Sequence, residues 1–61
     1  MITVDVEKQV FADGLTVGNY TLLVNMCGWC EERFGDNWLY DWNDFYFKYE
    51  KDAVLFALKW L

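Results

Sequence analysis

The chain has 61 residues, of which 56% are hydrophobic and 21% aromatic, and ten acidic residues against five basic ones give it a net charge of −5. This acidic balance argues against nucleic-acid binding, which depends on clustered Lys and Arg side chains that neutralise phosphates. A chain this short forms one domain, residues 1–61, and buries only about 60% of the surface that its unfolded form exposes. With four Trp, four Tyr and five Phe, some aromatic rings are expected at the surface, where a contiguous apolar patch marks a partner or an oligomer interface.

No segment has the pattern of a targeting or membrane-spanning sequence. The first residues lack the basic start and the apolar run of a signal peptide. No apolar run reaches the roughly 18 residues that a membrane helix needs. Because the chain has only two cysteines, the reducing cytoplasm is the expected location, and no membrane partner is expected.

The first element is predicted to be a strand. Residues 2–7 alternate strictly between apolar and polar side chains, which is typical of a half-buried strand. Residues 8–14 are less regular and end in Asp13-Gly14, which is a turn signal.

A long helix is predicted next. From residue 16 onward the apolar side chains recur every three or four positions, which indicates an amphipathic helix over about residues 16–34. Thr16 is the expected N-cap, and Gly35 lies where a helix commonly ends in a residue with positive φ.

Two aromatic-rich runs follow the helix. Residues 38–42 and 45–49 flank the polar pair Asn43-Asp44, which predicts a β-hairpin with a two-residue turn. The second run alternates, so one of its faces is expected in the core and the other partly in water. Residues 53–61 then predict a second helix, opened by Lys51 or Asp52, which is too short to be stable unless it docks on the rest of the domain.

The element order is therefore β-α-β-β-α. This order predicts an α+β domain with a small antiparallel or mixed three-stranded sheet and two helices on one face. Because crossover connections are right-handed, we expect a split β-α-β arrangement with the third strand between the first two. The sheet then has two open edges, and the sequence has no Pro to block them. A homodimer or a higher oligomer is the expected state.

The C-terminal run FYFKYEKDAVLFALKW, residues 45–60, combines an aromatic strand, an acidic turn and an Asp-Ala-x-x-Phe-x-Leu-Lys-Trp helix. This pattern resembles the closing segment of small, uncharacterised proteins of tailed bacteriophages. The upstream segment WCEERFG, residues 29–35, is similar to the helix end that precedes this closing segment in the phage proteins. The resemblance covers about a third of the chain. It implies a helix docked on a strand, a phage origin, a location in the host cytoplasm and accessory work such as binding a host protein, but no reaction.

Cys27 and Cys30 leave three alternatives open. Redox Cys-x-x-Cys pairs lie at helix N-termini, whereas this pair lies near the C-terminal end of the predicted helix, where the dipole, Glu31 and Glu32 raise the thiol pKa. A structural zinc site needs four ligands. Since the chain has no His, two chains would each supply a pair, or carboxylates such as Glu31 would contribute. The third alternative, which we favour, is two small side chains on the core face of the helix.

Enzymatic activity is not expected, and neither is a cofactor. The sequence has no His, no Ser and no Gly-rich phosphate loop, so the usual nucleophile and base pairs are missing. Asp36, Asp41 and Asp44 have the chemistry to hold a divalent cation or to act as acid and base. Acids beside a turn more often serve the turn itself.

The aromatic hairpin is the strongest candidate for a functional surface, because aromatic residues are enriched in binding hot spots. We therefore expect a non-enzymatic protein that binds a host protein or itself through an aromatic surface ringed by acids. The alternatives are a Cys-x-x-Cys protein that binds zinc between subunits or cycles as a disulfide, and small-ligand binding in an aromatic groove. The predicted partner-binding residues are Trp38, Tyr40, Trp42, Tyr46 and Tyr49.

Overall fold

The computed structural model, which describes residues 1–11 and 17–61, contains three strands and three helices within those ranges. The predicted α+β class is confirmed, with one helical turn added after the first strand. The predicted Asp13-Gly14 turn and Thr16 cap lie outside the described residues. In chain order the elements are β1 (Ile2–Asp5), α1 (Glu7–Val10), α2 (Val17–Phe34), β2 (Trp38–Asp41), β3 (Asp44–Phe47) and α3 (Glu50–Trp60).

The three strands form one antiparallel sheet in the order β1-β3-β2. Because β3 lies between the other two, β1 and β2 run parallel to each other, as in the predicted split β-α-β arrangement. The strand register places residues in cross-strand rows, and alternate rows point to opposite faces. The rows facing the helices are Ile2–Phe47–Trp38 and Val4–Phe45–Tyr40, and the rows facing away are Thr3–Tyr46–Leu39 and Asp5–Asp44–Asp41.

The core lies between the sheet and the two long helices. The ring of Phe56 on α3 lies 4.6 Å from that of Phe45 and 5.1 Å from that of Phe47, centroid to centroid, and all three side chains are fully buried. Helix α2 packs over β2, and α3 packs over β1 and β3. Trp29 fills the seam between the helices, where it contacts Phe56 and Trp60. The buried residues of α2 are Leu23, Met26, Cys30 and Phe34, at the helical spacing that the sequence predicted.

No helix in the described part of the chain is both long enough and apolar enough to cross a bilayer.

The hairpin turn consists of Trp42 and Asn43, so the predicted turn at Asn43-Asp44 is wrong by one residue. Asp44 is the first residue of β3 and pairs with both outer strands. Trp42 has a φ of 53°, and two-residue hairpin turns require positive φ at the first central position. A bulky aromatic residue rarely adopts that conformation, and this is why the sequence pattern pointed to Asn43 instead.

Two further boundaries differ from the prediction. Strand β1 ends at Asp5, because Glu7 begins α1 and its N–H donates to Asp5 Oδ1 at 2.8 Å. Tyr49 is the N-cap of α3 and not a residue of β3. On α2, Tyr20 and Val24 belong to the apolar pattern that predicted the helix but are exposed, because only a narrow side of α2 faces the core.

Candidate functional site

The face of the sheet that points away from the helices, here called the open face, is the candidate binding site. It consists of two cross-strand rows, one apolar and one acidic. The outer positions of both rows are exposed to solvent, and the central positions on β3 are half-buried. The open face is formed by Thr3, Asp5, Leu39, Asp41, Asp44 and Tyr46.

The apolar row has Tyr46 at its centre and Leu39 at its outer end. Leu39 is 58% exposed, although it belongs to a strand with a well-buried face. Leu39 and Tyr46 are directly opposite each other in the register, so their side chains lie within contact distance on the same face. Together they form a small apolar strip on the open face.

The acidic row places three carboxylates side by side across the sheet. Asp44 lies opposite Asp5 on one side and Asp41 on the other. Side chains at directly opposite positions have Cβ atoms about 4.5–5.5 Å apart, and like charges in this arrangement are destabilising. The row therefore concentrates negative charge on the open face.

Tyr46 connects the apolar row to the acidic row. Partial burial raises the pKa of Tyr46, and the charges of Asp44 and Asp41 raise it further. The Tyr46 hydroxyl also donates a hydrogen bond to the carboxylate of Asp44, which favours the protonated phenol. Tyr46 thus presents an apolar ring to the strip and a polar end to the carboxylates, a combination common at protein interfaces.

The five predicted partner-binding residues are not on one surface. Trp38 and Tyr40 face the helices, where both are half-buried against Phe45 at centroid distances of 6.1 and 5.1 Å. Tyr46 is on the open face. Trp42 and Tyr49 lie in the connections at opposite ends of β3.

Trp42 and Tyr49 are both exposed but have different surroundings. Trp42 is 63% exposed, follows Asp41 directly and stacks on Phe11 at 5.2 Å. Tyr49 lies below two ammonium groups, with Lys48 Nζ at 5.5 Å and Lys51 Nζ at 5.7 Å from its ring centroid. Trp42 therefore lies at the end of the sheet next to Asp41 and packs on Phe11, which itself packs against the core, whereas Tyr49 lies beside two lysines.

The two cysteines are free thiols on the core side of α2, Cys30 buried and Cys27 half-buried. Burial raises the pKa of Cys27 and raises that of Cys30 to about 12, with Cys27 as a smaller second cause for Cys30. The raised thiol pKa agrees with the sequence prediction. Its cause, however, is burial and not the charges of Glu31 and Glu32, which are exposed. A protonated thiol is a poor nucleophile and a poor metal ligand.

Acidic and thiol groups within the described residues do not assemble into a metal site. No group of three or more Cys, Asp or Glu side chains is arranged there to hold an ion. Asp36, Asp41 and Asp44 thus do not come together as a candidate cation site within one chain.

A groove of about 660 Å³ lies between α2 and α3. Its lining includes Gly28, Trp29 and Trp60 together with Glu32 and Lys59. The two indole rings meet edge to face at a centroid distance of 6.2 Å. The indole N–H of Trp60 is buried and has no acceptor among the described residues.

Sequence reasoning missed Leu39 and the acidic row. In residues 38–41 two aromatic side chains alternate with Leu39 and Asp41. This alternation could have indicated that Leu39 and Asp41 share a face of the strand. Bringing Asp5 beside Asp44 required the register of β1 against β3, which local sequence does not specify.

No protein family, curated protein or solved structure was found to match this chain. The function is therefore inferred from the residues themselves.

Proposed function

We propose that this chain is a non-enzymatic interaction protein that binds a partner protein through its open face. The observation that carries the proposal is the acidic row, Asp5–Asp44–Asp41, lying directly beside the apolar strip of Leu39 and Tyr46. A complementary partner segment has Lys or Arg side chains for the row and apolar side chains for the strip. The partner is therefore expected to be basic and amphipathic where it docks.

The cost of the acidic row supports a functional role. Like charges at directly opposite strand positions oppose folding, and a 61-residue domain has little stability to spare. Arrangements that reduce stability without a structural benefit are typical of functional sites. A bound cationic segment would remove the repulsion, so part of the binding free energy comes from relief of strain already present in the free protein.

The chemistry of the two rows assigns them different roles in binding. Charged groups at an interface rim chiefly accelerate association and set its salt dependence, while buried aromatic and aliphatic contacts determine how long the complex lasts. The acidic row is expected to guide the partner, and Leu39 with Tyr46 is expected to hold it. Trp42 adds apolar surface at the rim.

The resemblance of residues 45–60 to phage proteins favours a host protein as the partner. In this proposal the chain is a phage-type accessory protein that acts in the host cytoplasm. A basic partner fits the open face whether it is a host protein or a phage protein, and identification of the captured partner separates these cases.

The test compares two charge-introducing variants in capture from a bacterial lysate. Leu39→Glu adds a charge to the apolar strip, and Leu58→Glu adds the same charge to an exposed position of α3 as the matched control. We expect the wild-type chain and Leu58→Glu to retain the same protein, and Leu39→Glu to lose it. The purified partner must then bind with an affinity that falls as salt rises. Equal capture by both variants would contradict the proposal, provided that circular dichroism shows both to be folded.

Small-ligand binding in the groove between α2 and α3 is a second candidate function. It is favoured by the two indole rings in the groove wall, which give the groove an aromatic lining. Titration with cyclohexyl acetate as a non-fluorescent probe, followed by tryptophan fluorescence in wild type and in Trp60→Phe, tests this function. Saturable quenching that is lost in Trp60→Phe supports it, and the absence of saturation contradicts it.

A further inference from the structure

Both rows of the open face end at the outer edge of β2. Among the described residues β2 pairs only with β3, and Leu39 and Asp41 are exposed on the open face. On the helix side of the same strand, Trp38 and Tyr40 are only half-buried, whereas the corresponding residues of β3 are buried. Every residue of β2 therefore keeps surface that an additional strand would cover.

The backbone of β2 has outward-pointing hydrogen-bonding groups at this edge. Just before the first pair of the ladder, the N–H of Lys48 donates to the carbonyl of Asn37 at 3.0 Å. Hydrogen-bonded and non-hydrogen-bonded pairs alternate along an antiparallel ladder, so Leu39 bonds to β3 and its two neighbours do not. The N–H and C=O groups of Trp38 and Tyr40 therefore point outward, where an added strand can bond to them.

We infer that the partner of the open face contains an extended segment that adds to the outer edge of β2 as a new antiparallel strand. Residues directly opposite each other on neighbouring strands share a face, so both rows of the open face continue into the partner. A Lys or Arg side chain then lies opposite Asp41, and an apolar side chain lies opposite Leu39. This inference rests on the proposed function and adds to it the mode of binding and the spacing of the partner's residues.

The direction of the added strand sets the order of these two residues. Leu39 and Asp41 are separated by one residue, so the two partner residues are separated by one residue as well. An antiparallel segment passes Asp41 before it passes Leu39, and its motif from N to C terminus is basic-x-apolar. Antiparallel pairing is slightly more stable per residue than parallel pairing, and a parallel strand would need the reverse order.

The pairing also brings the contacting side chains close together. The residue between the basic and the apolar one lies opposite Tyr40 and exchanges both backbone bonds with it. The pairs at Leu39 and Asp41 are then of the non-hydrogen-bonded type, in which the Cα atoms are about 4.5 Å apart and the side chains are closest. The middle residue points to the helix side, where it covers the exposed part of Tyr40.

The charges at this edge favour a basic segment as the occupant. The acidic row ends at Asp41, and β2 contains neither Lys nor Pro, which commonly protect edge strands from pairing. A second copy of the chain fits less well. None of the strands in the described residues contains Lys or Arg, so a strand of a second copy would bring no cation to the acidic row.

The edge of β1 is the less suitable end of the two rows. Its apolar-row position is Thr3, which has no side chain comparable to Leu39. Its acidic-row position is Asp5, whose Oδ1 already accepts from the N–H of Glu7 at 2.8 Å. The segment is therefore expected at β2.

The test measures amide hydrogen exchange of the isotope-labelled wild-type chain with the peptide Thr-Thr-Lys-Thr-Leu-Thr-Thr as the probe. The N–H groups of Trp38 and Tyr40 bond to the added strand, so their exchange should slow about tenfold when the peptide is present at about ten times its Kd. The N–H groups of Thr3 and Asp5 point outward at the β1 edge by the same alternation, since the Val6 N–H donates to the turn at 2.8 Å. Their exchange should not change.

Two N-methylated forms of the peptide are the matched controls. Methylation of the Thr between Lys and Leu removes the N–H that donates to the carbonyl of Tyr40, and it should weaken binding by about tenfold or more. Methylation of the Leu nitrogen, whose N–H points away from β2, should change the affinity by less than about threefold.

A charge exchange tests the contact with Asp41. In Asp41→Lys, a peptide with Glu in place of Lys should bind about tenfold more tightly than the original peptide, because the exchange turns a repulsive cross-strand pair into an attractive one. Asp36→Lys makes the same change of charge in the loop between α2 and β2. This control variant should keep the preference of the wild type for the Lys peptide.

Slower exchange at Trp38 and Tyr40 that is abolished by the first methyl group supports the inference. Peptide binding that shifts Leu39 and Tyr46 without slowing this exchange would overturn strand addition while leaving the open face as a binding site. Slower exchange at Thr3 instead, or no binding of the peptide up to about 1 mM, would also overturn it. The proposed function is decided separately, by lysate capture with Leu39→Glu.

Discussion

Replacement of Asp44 by Asn tests whether the acidic row stores repulsion. Asp44 is the only member of the row with a carboxylate on both sides, because its strand is the central one. Each like-charge pair at directly opposite positions costs about 0.2–1 kcal/mol, so the two pairs together cost roughly 1 kcal/mol. The Asn side-chain oxygen still accepts from the Tyr46 hydroxyl. Asp44→Asn should therefore stabilise the fold by about 0.5–1 kcal/mol, which in a domain of this size raises Tm by roughly 4 °C.

Urea unfolding followed by circular dichroism measures this change. The comparison is made at one protein concentration, since self-association adds to apparent stability, and in both low salt and about 1 M salt, where the screening length falls to about 3 Å. The gain should be present at low salt and largely absent at high salt. Asp36→Asn is the control, because Asp36 is an exposed carboxylate in the loop between α2 and β2. It removes one negative charge at a site outside the row.

Two outcomes would refute the reasoning. Loss of stability on Asp44→Asn at low salt would mean that the carboxylates do not repel one another in the folded protein. An equal gain from Asp36→Asn would mean that net charge matters and the row does not. If the row also guides a partner, Asp44→Asn weakens capture while it stabilises the fold, and this opposite pair of signs distinguishes a functional site from a structural one.

Three further predictions follow from the core and the turn. Phe56→Ala should lower the free energy of unfolding by about 3–5 kcal/mol, because it empties the centre of the core. Leu58→Ala on the same helix should change the free energy of unfolding by less than about 0.5 kcal/mol. Similar losses for the two variants in a urea titration would contradict the packing of Phe56 in the core. The Cys30 pKa is raised from 9.0 to about 12 in the folded chain, so above pH 9 the unfolded state loses the proton first and stability falls as pH rises toward 12. Thermal unfolding of Cys30→Ala, in which this contribution is absent, should show a weaker decline over that range. Trp42→Gly removes positive-φ strain of about 1–2 kcal/mol, and it also removes the stacking on Phe11, which contributes about 0.5–1.5 kcal/mol. Because these two effects offset each other, Tm should change little while partner capture falls. A large loss of Tm would show that Trp42 has a structural role.

The fold was predictable because its elements have strong and different periods. The alternation over residues 2–7 and the three- and four-residue spacing over residues 16–34 each fit one kind of element only. The right-handed crossover rule then left the split β-α-β arrangement as the expected topology. Local pattern and general chain topology were sufficient for these features.

The turn and the site were less predictable for physical reasons. Trp42 takes a positive φ that its residue type disfavours, so the residue preferences that usually locate a turn pointed one position too far. The predicted aromatic surface divided because alternation sends Trp38 and Tyr40 to the helix side, while Tyr46 goes to the open face. The acidic row exists only because three strands place Asp5, Asp44 and Asp41 in register. That pairing depends on contacts between residues far apart in the chain.

Mapping of backbone amide shifts with two synthetic peptides tests the role of the open face most directly. One peptide alternates Lys with Leu, and the control alternates Glu with Leu, so the two differ only in the sign of their charge. When added to the isotope-labelled protein, the Lys-Leu peptide should shift the amides of Thr3, Leu39 and Tyr46 most strongly, with an effect that weakens as salt rises, and the Glu-Leu peptide should leave them unchanged. Strongest shifts on α3, or equal responses to both peptides, would contradict the account.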